Sequence, residues 1–283
     1  MQSERFVAVR ATEDPLRWEL TIEPRHLTHA GAMQGGCAFA AAIDAMTSVA
    51  QRPLAFASAQ FVRHAGPTGV LVVDVEVPVE GQQTTQARAR ACVDGVEVLT
   101  AWGALGRRPL DIDATWASRP DVPSADDAQP VTLPSNGVDD LGSQLQVRLA
   151  AGRSTDELDG TRGRGRWIGW CHRLDPTGPM HATELAVLGD LAVLGISDAV
   201  GRRMTGNSID NTLRIVGDDS CDWILVDVSV DAVRAGFAHV SAHLWADTGA
   251  LLAIASQTLV VREVDASGRS RRSNRRIVGG GDG

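Results

Sequence analysis

The chain has 283 residues, of which 43% are hydrophobic, and a formal net charge of −8 at pH 7. This apolar content is enough to build a folded core and excludes a disordered chain, and the acidic balance argues against a general nucleic-acid binder. No stretch approaches the ~18 unbroken apolar residues of a membrane span, so we expect no stable membrane insertion.

Two features of the composition narrow the chemistry. All basic residues are arginine and none is lysine, which excludes Schiff-base and P-loop lysine chemistry. The cysteines lie far apart without a CxxC pair, and His26 and His29 have no companion cysteine or acidic cluster, so we expect no bound metal and no disulfide scaffold. Because the amino-terminal residues also lack an apolar signal core, a cytoplasmic location is expected.

The N-terminal part of the chain contains one predicted helix among several predicted strands. A short strand is expected at 17–22. Gly35–Ala50 is apolar around most of its circumference, which predicts a buried helix. Val70–Glu80 alternates apolar and polar residues and predicts a half-buried strand. Residues 87–95 and Val96–Gly106 are expected to form a hairpin with an Asp-Gly turn.

Two segments lack this regular patterning. Residues 109–140 are rich in proline and aspartate, which predicts a linker. Residues 266–283 contain five arginines and no apolar period, which predicts a disordered tail. The chain is thereby divided into an N-terminal unit, residues 1–108, and a C-terminal unit, residues 141–265.

The C-terminal unit repeats the pattern of the first. Strands are expected at 144–149 and 165–172, then a buried helix at 182–200, and then strands at 223–233, 239–249 and 250–263. The strands VLVVDVEVPVE and WILVDVSVDAV align Asp74 with Asp227, and Asp94 then aligns with Asp247. We therefore predict an α+β fold of two tandem repeats, each a long buried helix wrapped by a curved antiparallel sheet.

The main chemical signal is a carboxylate inside an apolar helix. Asp190 lies in LAVLGDLAVLG, where a charge is costly to bury unless a partner compensates it. Such carboxylates concentrate at functional sites. A hydrogen bond from a backbone N–H or an arginine would also explain a buried aspartate at this position. Ser208, at the predicted start of the next strand, and Gln257, within LLAIASQTLVV, can orient a water for which Asp190 is the general base.

A second feature lies in the N-terminal unit, where Gln34, Gly35 and Gly36 open the predicted helix. Glycines allow a substrate to approach closely, and free N–H groups at a helix N-terminus stabilise developing negative charge. An ordinary Gly-rich turn into a buried helix would have the same sequence. Because this opening occurs only in the first unit, we expect one composite site between the two units.

The same stretches resemble a known family. The segments QGGCAFAAAIDAM, FVRHAGPTGVLVVDVEVPVEG, LAVLGDLAVLGISDAV, SIDNTLRI and GALLAIASQTLVVRE are similar in order and spacing to tandem (double) hotdog proteins of the acyl-CoA thioesterase II-like group. The resemblance implies that Asp190, Ser208 and Gln257 are catalytic. It also implies that acyl-CoA is the substrate and that no bound cofactor is needed.

Two positions depart from the family pattern. Gln34 stands where related hotdog enzymes often have a histidine before the two glycines. Single hotdog thioesterases carry an acid on the first helix seven residues after the second glycine. Asp44 instead follows Gly36 by eight residues, about 100° further round the helix. We therefore interpret Asp44 as structural and keep it as the alternative acid.

The resemblance predicts hydrolysis of acyl-CoA to a carboxylic acid and coenzyme A. A non-catalytic acyl-CoA or lipid-binding protein with the same fold is the alternative. A hotdog enoyl-CoA hydratase is disfavoured, because it needs a histidine five residues after the helix aspartate, where this chain has Val49 or Gly195. The arginines of residues 269–276 either attract coenzyme A phosphates or belong to a solvated tail. Such folds also commonly assemble into homo-oligomers through sheet edges.

Overall fold

Thirteen antiparallel strands form one continuous sheet in the computed structural model, which describes residues 5–137, 139–175 and 178–264. The first six are β1 (Arg10–Ala11), β2 (Arg17–Thr21), β3 (Leu54–Phe61), β4 (Val70–Glu80), β5 (Thr84–Val93) and β6 (Val96–Gly106). The others are β7 (Gln129–Val131), β8 (Val147–Ala151), β9 (Arg166–His172), β10 (Met204–Ile215), β11 (Trp223–Arg234), β12 (Phe237–Ala246) and β13 (Leu251–Glu263). The helices are α1 (Gly35–Ala50), α2 (Leu141–Gln144), α3 (Ala182–Gly189) and α4 (Val193–Val200).

The order of the strands is mirrored about the centre of the sheet. From edge to edge it is β1-β2-β4-β5-β6-β3-β10-β13-β12-β11-β9-β8-β7. The central strands β3 and β10 each follow a buried helix, and they pair with each other through residues 56–60 and 210–214. Each is flanked on its outer side by the last long strand of its own half, β6 or β13. The likeness of the two halves in sequence therefore extends to the order of their strands.

The helices α1 and α3 pack against each other and against the sheet. Every residue of α1 from Gly36 to Met46 is buried, as is every residue of α3 from Thr183 to Gly189, which confirms the burial predicted from their apolar circumference. Alanine and glycine are frequent on both helices, so their backbones can approach closely. Among the described helices, none has both the length and the apolar character needed to cross a membrane.

The second buried helix is interrupted, whereas the sequence predicted a continuous helix over 182–200. After α3 ends at Gly189, a 3-10 turn covers Asp190–Ala192 before α4 begins. At the break, Gln257 Nε2 lies 3.4 Å from the carbonyl oxygen of Gly189 and 2.7 Å from Oδ1 of Asp190. Side-chain partners from the sheet thus replace regular helical bonding at this point.

The structure also differs from the expectation of a linker over residues 109–140. The second part of this segment contains β7, which extends the sheet by pairing with β8. Ala125 and Ala128 are buried beside Trp170 of β9, whose indole N–H donates to the carbonyl of Pro123 at 2.9 Å. Removal of the large Trp170 ring from water is favourable, which accounts for the packing of this polar segment onto the sheet. The predicted tail, 266–283, lies outside the described residues.

A buried ion pair fixes the entry into α3. The Arg173 and Glu184 side chains are 1% and 0% exposed, and Arg173 NH2 lies 3.0 Å from Glu184 Oε2. Arg173 also donates to carbonyl oxygens of Gly178 and Pro179, while Glu184 accepts the N–H of Leu174 at 2.7 Å. Burial raises the pKa of Glu184, and the Arg173 guanidinium opposes that rise. The pair therefore ties Leu174, Gly178 and Pro179 to the first turn of α3.

We expect Arg173→Met to destabilise the protein by about 3–5 kcal/mol, because it leaves the Glu184 carboxylate buried without its partner. Chemical denaturation monitored by tryptophan fluorescence measures the change. The control is Arg107→Met, which breaks an ion pair with Asp218 whose side chains are 74% and 69% exposed, and this change should alter stability little. Equal stability of the two variants would contradict the structural role of the buried pair.

Candidate active site

A buried aspartate at the junction of α3 and α4 is the centre of the candidate site. Asp190 is 8% exposed and opens the 3-10 turn that separates the two helices. Its carboxylate contacts three other elements, namely the first turn of α1 and the neighbouring strands β10 and β13. The break in the helix therefore places one acid where both halves of the chain meet.

Four neutral donors surround this carboxylate. The backbone N–H of Gly36 donates to Oδ2 of Asp190 at 2.8 Å. Oδ1 accepts from Gln257 Nε2 at 2.7 Å, from the Ser208 hydroxyl at 3.2 Å and from Asn211 Nδ2 at 3.4 Å. In the described part of the chain, Asp190 forms no ion pair with a guanidinium. The negative charge is thus held by hydrogen bonds alone, so the carboxylate keeps its capacity to accept a proton.

The first turn of α1 approaches Asp190 so closely that only glycine fits. A Cβ placed on Gly36 would lie 2.8 Å from the carbonyl oxygen of Ala186 and 2.8 Å from Cβ of Asp190. Gln34 is the N-cap, and its side-chain oxygen accepts the N–H of Cys37 at 2.9 Å. Gln34 therefore fixes the start of the helix, and Gly36 supplies the contact with the acid.

The expected oxyanion donors, Gly35 and Gly36, have different surroundings. The Gly36 N–H is engaged by Asp190, so it orients the acid in this structure instead of pointing to an open position. The Gly35 N–H has no acceptor among the hydrogen bonds of the described residues. Gly35 is also partly exposed, and a Cβ on it would lie 3.2 Å from both Asp190 Oδ2 and the ring of Phe61. Gly35 therefore presents the accessible edge of the site.

Asn211 is a site residue that the sequence reasoning missed. It is 1% exposed and pairs directly with Gln257 across β10 and β13. A register shift between Ser208 and Asp210 brings Ser208 and Asn211, three residues apart, onto the same face of β10. The sequence did contain a signal for Asn211, because it is an uncharged amide in a half-apolar strand. The same argument identified Gln257. Strict alternation instead assigns Asn211 and Ser208 to opposite faces.

The two amides leave acceptor atoms unused. Within the described residues, Oδ1 of Asn211 and Oε1 of Gln257 are buried and have no hydrogen-bond partner. A buried acceptor without a partner costs free energy comparable to a lost hydrogen bond. These oxygens can accept a hydrogen bond from a hydroxyl or a water next to Asp190, whereas an ionised carboxylate has no hydrogen to donate to them.

Burial raises the pKa of Asp190 from 3.8 to about 6. The Gly36 N–H opposes the rise most, followed by the side chains of Ser208, Gln257 and Asn211, because each hydrogen bond favours the charged form. An acid with a pKa of about 6 is mostly ionised at neutral pH yet is a stronger base than an exposed aspartate. This value suits a group that takes and returns a proton.

Asp44, the alternative acid, has a different environment. Its carboxylate accepts two bonds from the Arg5 guanidinium, at 2.9 and 3.1 Å, and a third from the N–H of Val9 at 2.9 Å. It is 4% exposed, and within the described residues it forms no hydrogen bond with Ser208 or Gln257, which instead bond Asp190. A guanidinium and a backbone N–H thus hold this carboxylate, whereas neutral donors alone hold that of Asp190. The geometry fits the structural interpretation of Asp44.

The described residues contain no group of three or more His, Cys, Asp or Glu side chains that could hold a metal ion. His26 is fully buried, and its Nε2 lies 3.0 Å from the carbonyl oxygen of Phe6. Its ring therefore ties the amino-terminal segment to the loop before α1. The arginines at 269–276 lie outside the described residues.

Comparisons with known proteins identify relatives of the chain. Residues 119–261 match the family model described as the acyl-CoA thioesterase C-terminal domain. Among solved structures, a protein of Novosphingobium aromaticivorans proposed to be a thioesterase has 31% sequence identity and a TM-score of 0.79, covering 89% of this chain and 98% of its own. The comparison with curated protein sequences found no match.

Two more distant structures show the fold. A conserved protein of Alicyclobacillus acidocaldarius, described with a hot dog fold, has 20% identity and a TM-score of 0.79 over 91% of this chain and 97% of its own. An acyl-CoA thioesterase II of Mycobacterium marinum has 16% identity and a TM-score of 0.70 over 92% and 98%. The fold is therefore of the hotdog type, a sheet-rich α+β arrangement around buried helices.

We expect Asp190→Asn to stabilise the protein at pH 8. A folded-state pKa raised from 3.8 to about 6 means that the stability linked to this group is fully present below pH 3.8 and is lost as pH rises through about 6. The loss corresponds to about 3 kcal/mol. Asparagine carries no charge, and the unused oxygens of Asn211 and Gln257 can accept its NH₂ group after their amides rotate.

Urea denaturation at pH 8 and pH 5 measures this effect, and the gain should be about half as large at pH 5. The matched control is Asp44→Asn, the same change at another buried helix aspartate. It removes the partner of Arg5 and should lower stability. An Asp190→Asn variant that is no more stable than the wild type at pH 8 would contradict the inferred cost of burying this carboxylate.

Proposed function

Because the chain belongs to the acyl-CoA thioesterase family, we propose that it hydrolyses acyl-CoA thioesters to a free carboxylic acid and coenzyme A. Membership of the family confirms the resemblance drawn from the sequence. The observation that carries the proposed mechanism is the ring of four neutral donors around the buried carboxylate of Asp190. This arrangement leaves the acid ionised and basic without a permanent cationic partner.

In the proposed reaction, Asp190 is the general base. A water next to its carboxylate gives up a proton to Asp190 while the water oxygen attacks the thioester carbonyl carbon, forming a tetrahedral intermediate. The intermediate collapses with cleavage of the C–S bond, and the proton on Asp190 returns to the leaving thiolate of coenzyme A. The products are the carboxylic acid and the free thiol, and Asp190 ends the cycle ionised.

Ser208, Gln257 and Asn211 have positioning roles in this proposal. Their donors fix the Asp190 carboxylate in one orientation, with Gln257 making the shortest of the three bonds at 2.7 Å. The unused oxygens of Asn211 and Gln257 are suitable acceptors for the second hydrogen of the attacking water. A water held by two acceptors loses less entropy on reaching the transition state.

We further propose that the Gly35 N–H stabilises the oxyanion. It lies at the positive end of α1 and has no acceptor within the described residues. Gly35 is the partly exposed neighbour of Asp190, so a thioester that enters beside Phe61 meets the donor and the base together. Gln34 supports this geometry by capping the helix through Cys37.

The mirrored strand order supports our proposal that the chain is a double hotdog, two tandem repeats joined at β3 and β10. The units are 1–108 and 141–265, with 109–140 between them. The described free cysteines, Cys37, Cys92, Cys171 and Cys221, are all buried, which supports action in a reducing compartment such as the cytoplasm. Assembly into a homo-oligomer stays a prediction.

Replacement of the base tests the mechanism directly. We expect Asp190→Asn to lower kcat by ~10²–10⁴-fold, because the amide cannot take a proton from water. The assay is thiol release from a series of acyl-CoA substrates, with Asp44→Asn as the matched control that retains activity. Full activity of Asp190→Asn with loss in Asp44→Asn would move the base to Asp44. Saturable acyl-CoA binding without thiol release in the wild type would favour the non-catalytic alternative.

The pH profile of the wild type provides a second measure of the same group. Since the pKa of Asp190 is about 6, kcat/KM should fall about tenfold per pH unit below pH 6 as the carboxylate becomes protonated. The rate should be independent of pH between about 7 and 8. A profile that stays flat down to pH 4.5 would contradict an ionised carboxylate of raised pKa as the base.

The positioning residues are tested by their coupling to the base. Ser208→Ala, Asn211→Ala and Gln257→Ala should each lower kcat more than they raise KM, because they act on the acid and the water, not on substrate affinity. Combined with Asp190→Asn, each should add little further loss, since all act through one water. Fully additive losses would show that the residues act independently.

A further inference from the structure

A cavity of about 500 Å³ lies at the opposite end of the α1–α3 helix pair from Asp190. Its wall includes Asp44 and Thr47 of α1 and Ala182, Thr183 and Leu185 of α3. Asp44 is eight residues along α1 from Gly36, a distance of about 12 Å at 1.5 Å per residue. No residue of the candidate active site lines it, so it is a separate space.

The first turn of α3 presents donors without acceptors to this cavity. Within the described residues, the hydroxyl of Thr183 is buried without a hydrogen-bond partner, and Thr183 is 4% exposed. The N–H groups of Ala182 and Thr183 also have no acceptor there, because no helical carbonyl precedes the first residues of a helix. His181 is the N-cap, and its side chain makes no capping bond. A helix N-terminus with a free buried hydroxyl is suited to an anion.

These donors are free because the nearby carboxylates have other partners. At the active site, the N-terminus of α1 donates to Asp190. At this end, Asp44 takes its bonds from Arg5 and Val9 of the amino-terminal segment instead. Glu184 is likewise held by Arg173 and the N–H of Leu174. The N-terminus of α3 is therefore left with positive partial charge and no acidic side chain bound to it.

The remainder of the cavity defines the rest of the ligand. Ile43, Leu54, Leu185, Ile215 and Val216 give it apolar walls. Its two arginines, Arg5 and Arg107, are already paired with Asp44 and Asp218, at 2.9 and 2.7 Å, so they offer little to a doubly charged phosphate. A single carboxylate on an apolar chain matches the few neutral donors and the apolar walls.

We propose that this cavity binds a medium-chain fatty acid, with its carboxylate at the first turn of α3 beside Thr183 and its chain along the apolar wall. The volume lies within the range of small-molecule sites. Within the described residues, no side-chain amide bonds Asp44 as Gln257 bonds Asp190. The cavity is therefore a binding site and not a second hydrolytic centre.

Calorimetric titration of the full-length protein with octanoate tests the proposal. The measurement does not require turnover, so a failure of the binding proposal can be distinguished from a failure of the proposed hydrolysis. We expect saturable binding that Thr183→Val weakens about tenfold or more, because the carboxylate loses a charged hydrogen bond. Thr183→Ser keeps the hydroxyl and should bind as the wild type does. Octanol, which lacks the carboxylate, should bind more weakly than octanoate.

A second variant tests the same cavity at a position other than the buried Thr183. Ala55 is exposed at the cavity wall, so Ala55→Trp should fill the space without disturbing the core and should abolish the same binding. Unchanged octanoate affinity in both Thr183→Val and Ala55→Trp would overturn the proposal, as would equal affinity for octanol. Octanoate binding that is lost only in Asp190→Asn would place octanoate at the hydrolytic site, and this result would also overturn the proposal.

Discussion

Within the described residues, the carboxylate of Asp190 is buried without a counter-charge, and the elements around it supply hydrogen-bond donors instead. A charge in a low-dielectric interior needs several hydrogen-bond donors, and here they come from α1, β10 and β13. To reach them, the helix that carries Asp190 breaks into α3 and α4. The central strands must also pair in the register that sets Asn211 opposite Gln257. One acid thus links the helix pair to the middle of the sheet.

The close approach of α1 and α3 makes this arrangement possible. Gly36 lies against Ala186 and Asp190 with no room for a side chain, and the buried alanines of α1 let its backbone pack tightly. At the other end of the helices, a loop held by Arg173 and Glu184 positions the start of α3. The buried ion pair and the buried acid therefore lie at opposite ends of the same helix, and each connects that helix to neighbouring elements.

Similar elements have acquired different chemistry at the two ends of the helix pair. Each end combines an aspartate with the N-terminus of the partner helix, but only Asp190 receives a bond from that helix. Asp44 is instead paired with Arg5 and with the N–H of Val9. The amino-terminal segment thus supplies the partners of one aspartate, whereas α1 and the sheet supply the partners of the other.

Much of this protein could be predicted from its sequence because the signals are local. Alternating or continuous apolar patterns determine Gly35–Ala50, Val70–Glu80 and Val96–Gly106, whose bounds agree with the structure. A polar side chain in an apolar run must find a partner, and this rule identified Asp190 and Gln257, which the structure brings within 2.7 Å. The sequence also predicted two repeats, and the strand order of the sheet, mirrored about β3 and β10, is consistent with that prediction.

Only the tertiary structure decided the contacts that depend on register and on distant segments. The shift between Ser208 and Asp210 brings Asn211 to the acid, and no periodicity predicts where an extra residue enters a strand. The break at Asp190 arises from donors on other elements, so the helix pattern alone predicts a continuous helix. The pairing of Asp44 with Arg5 joins residues 39 apart in sequence. Local propensity cannot specify such contacts, because their free energy exists only once the chain has folded.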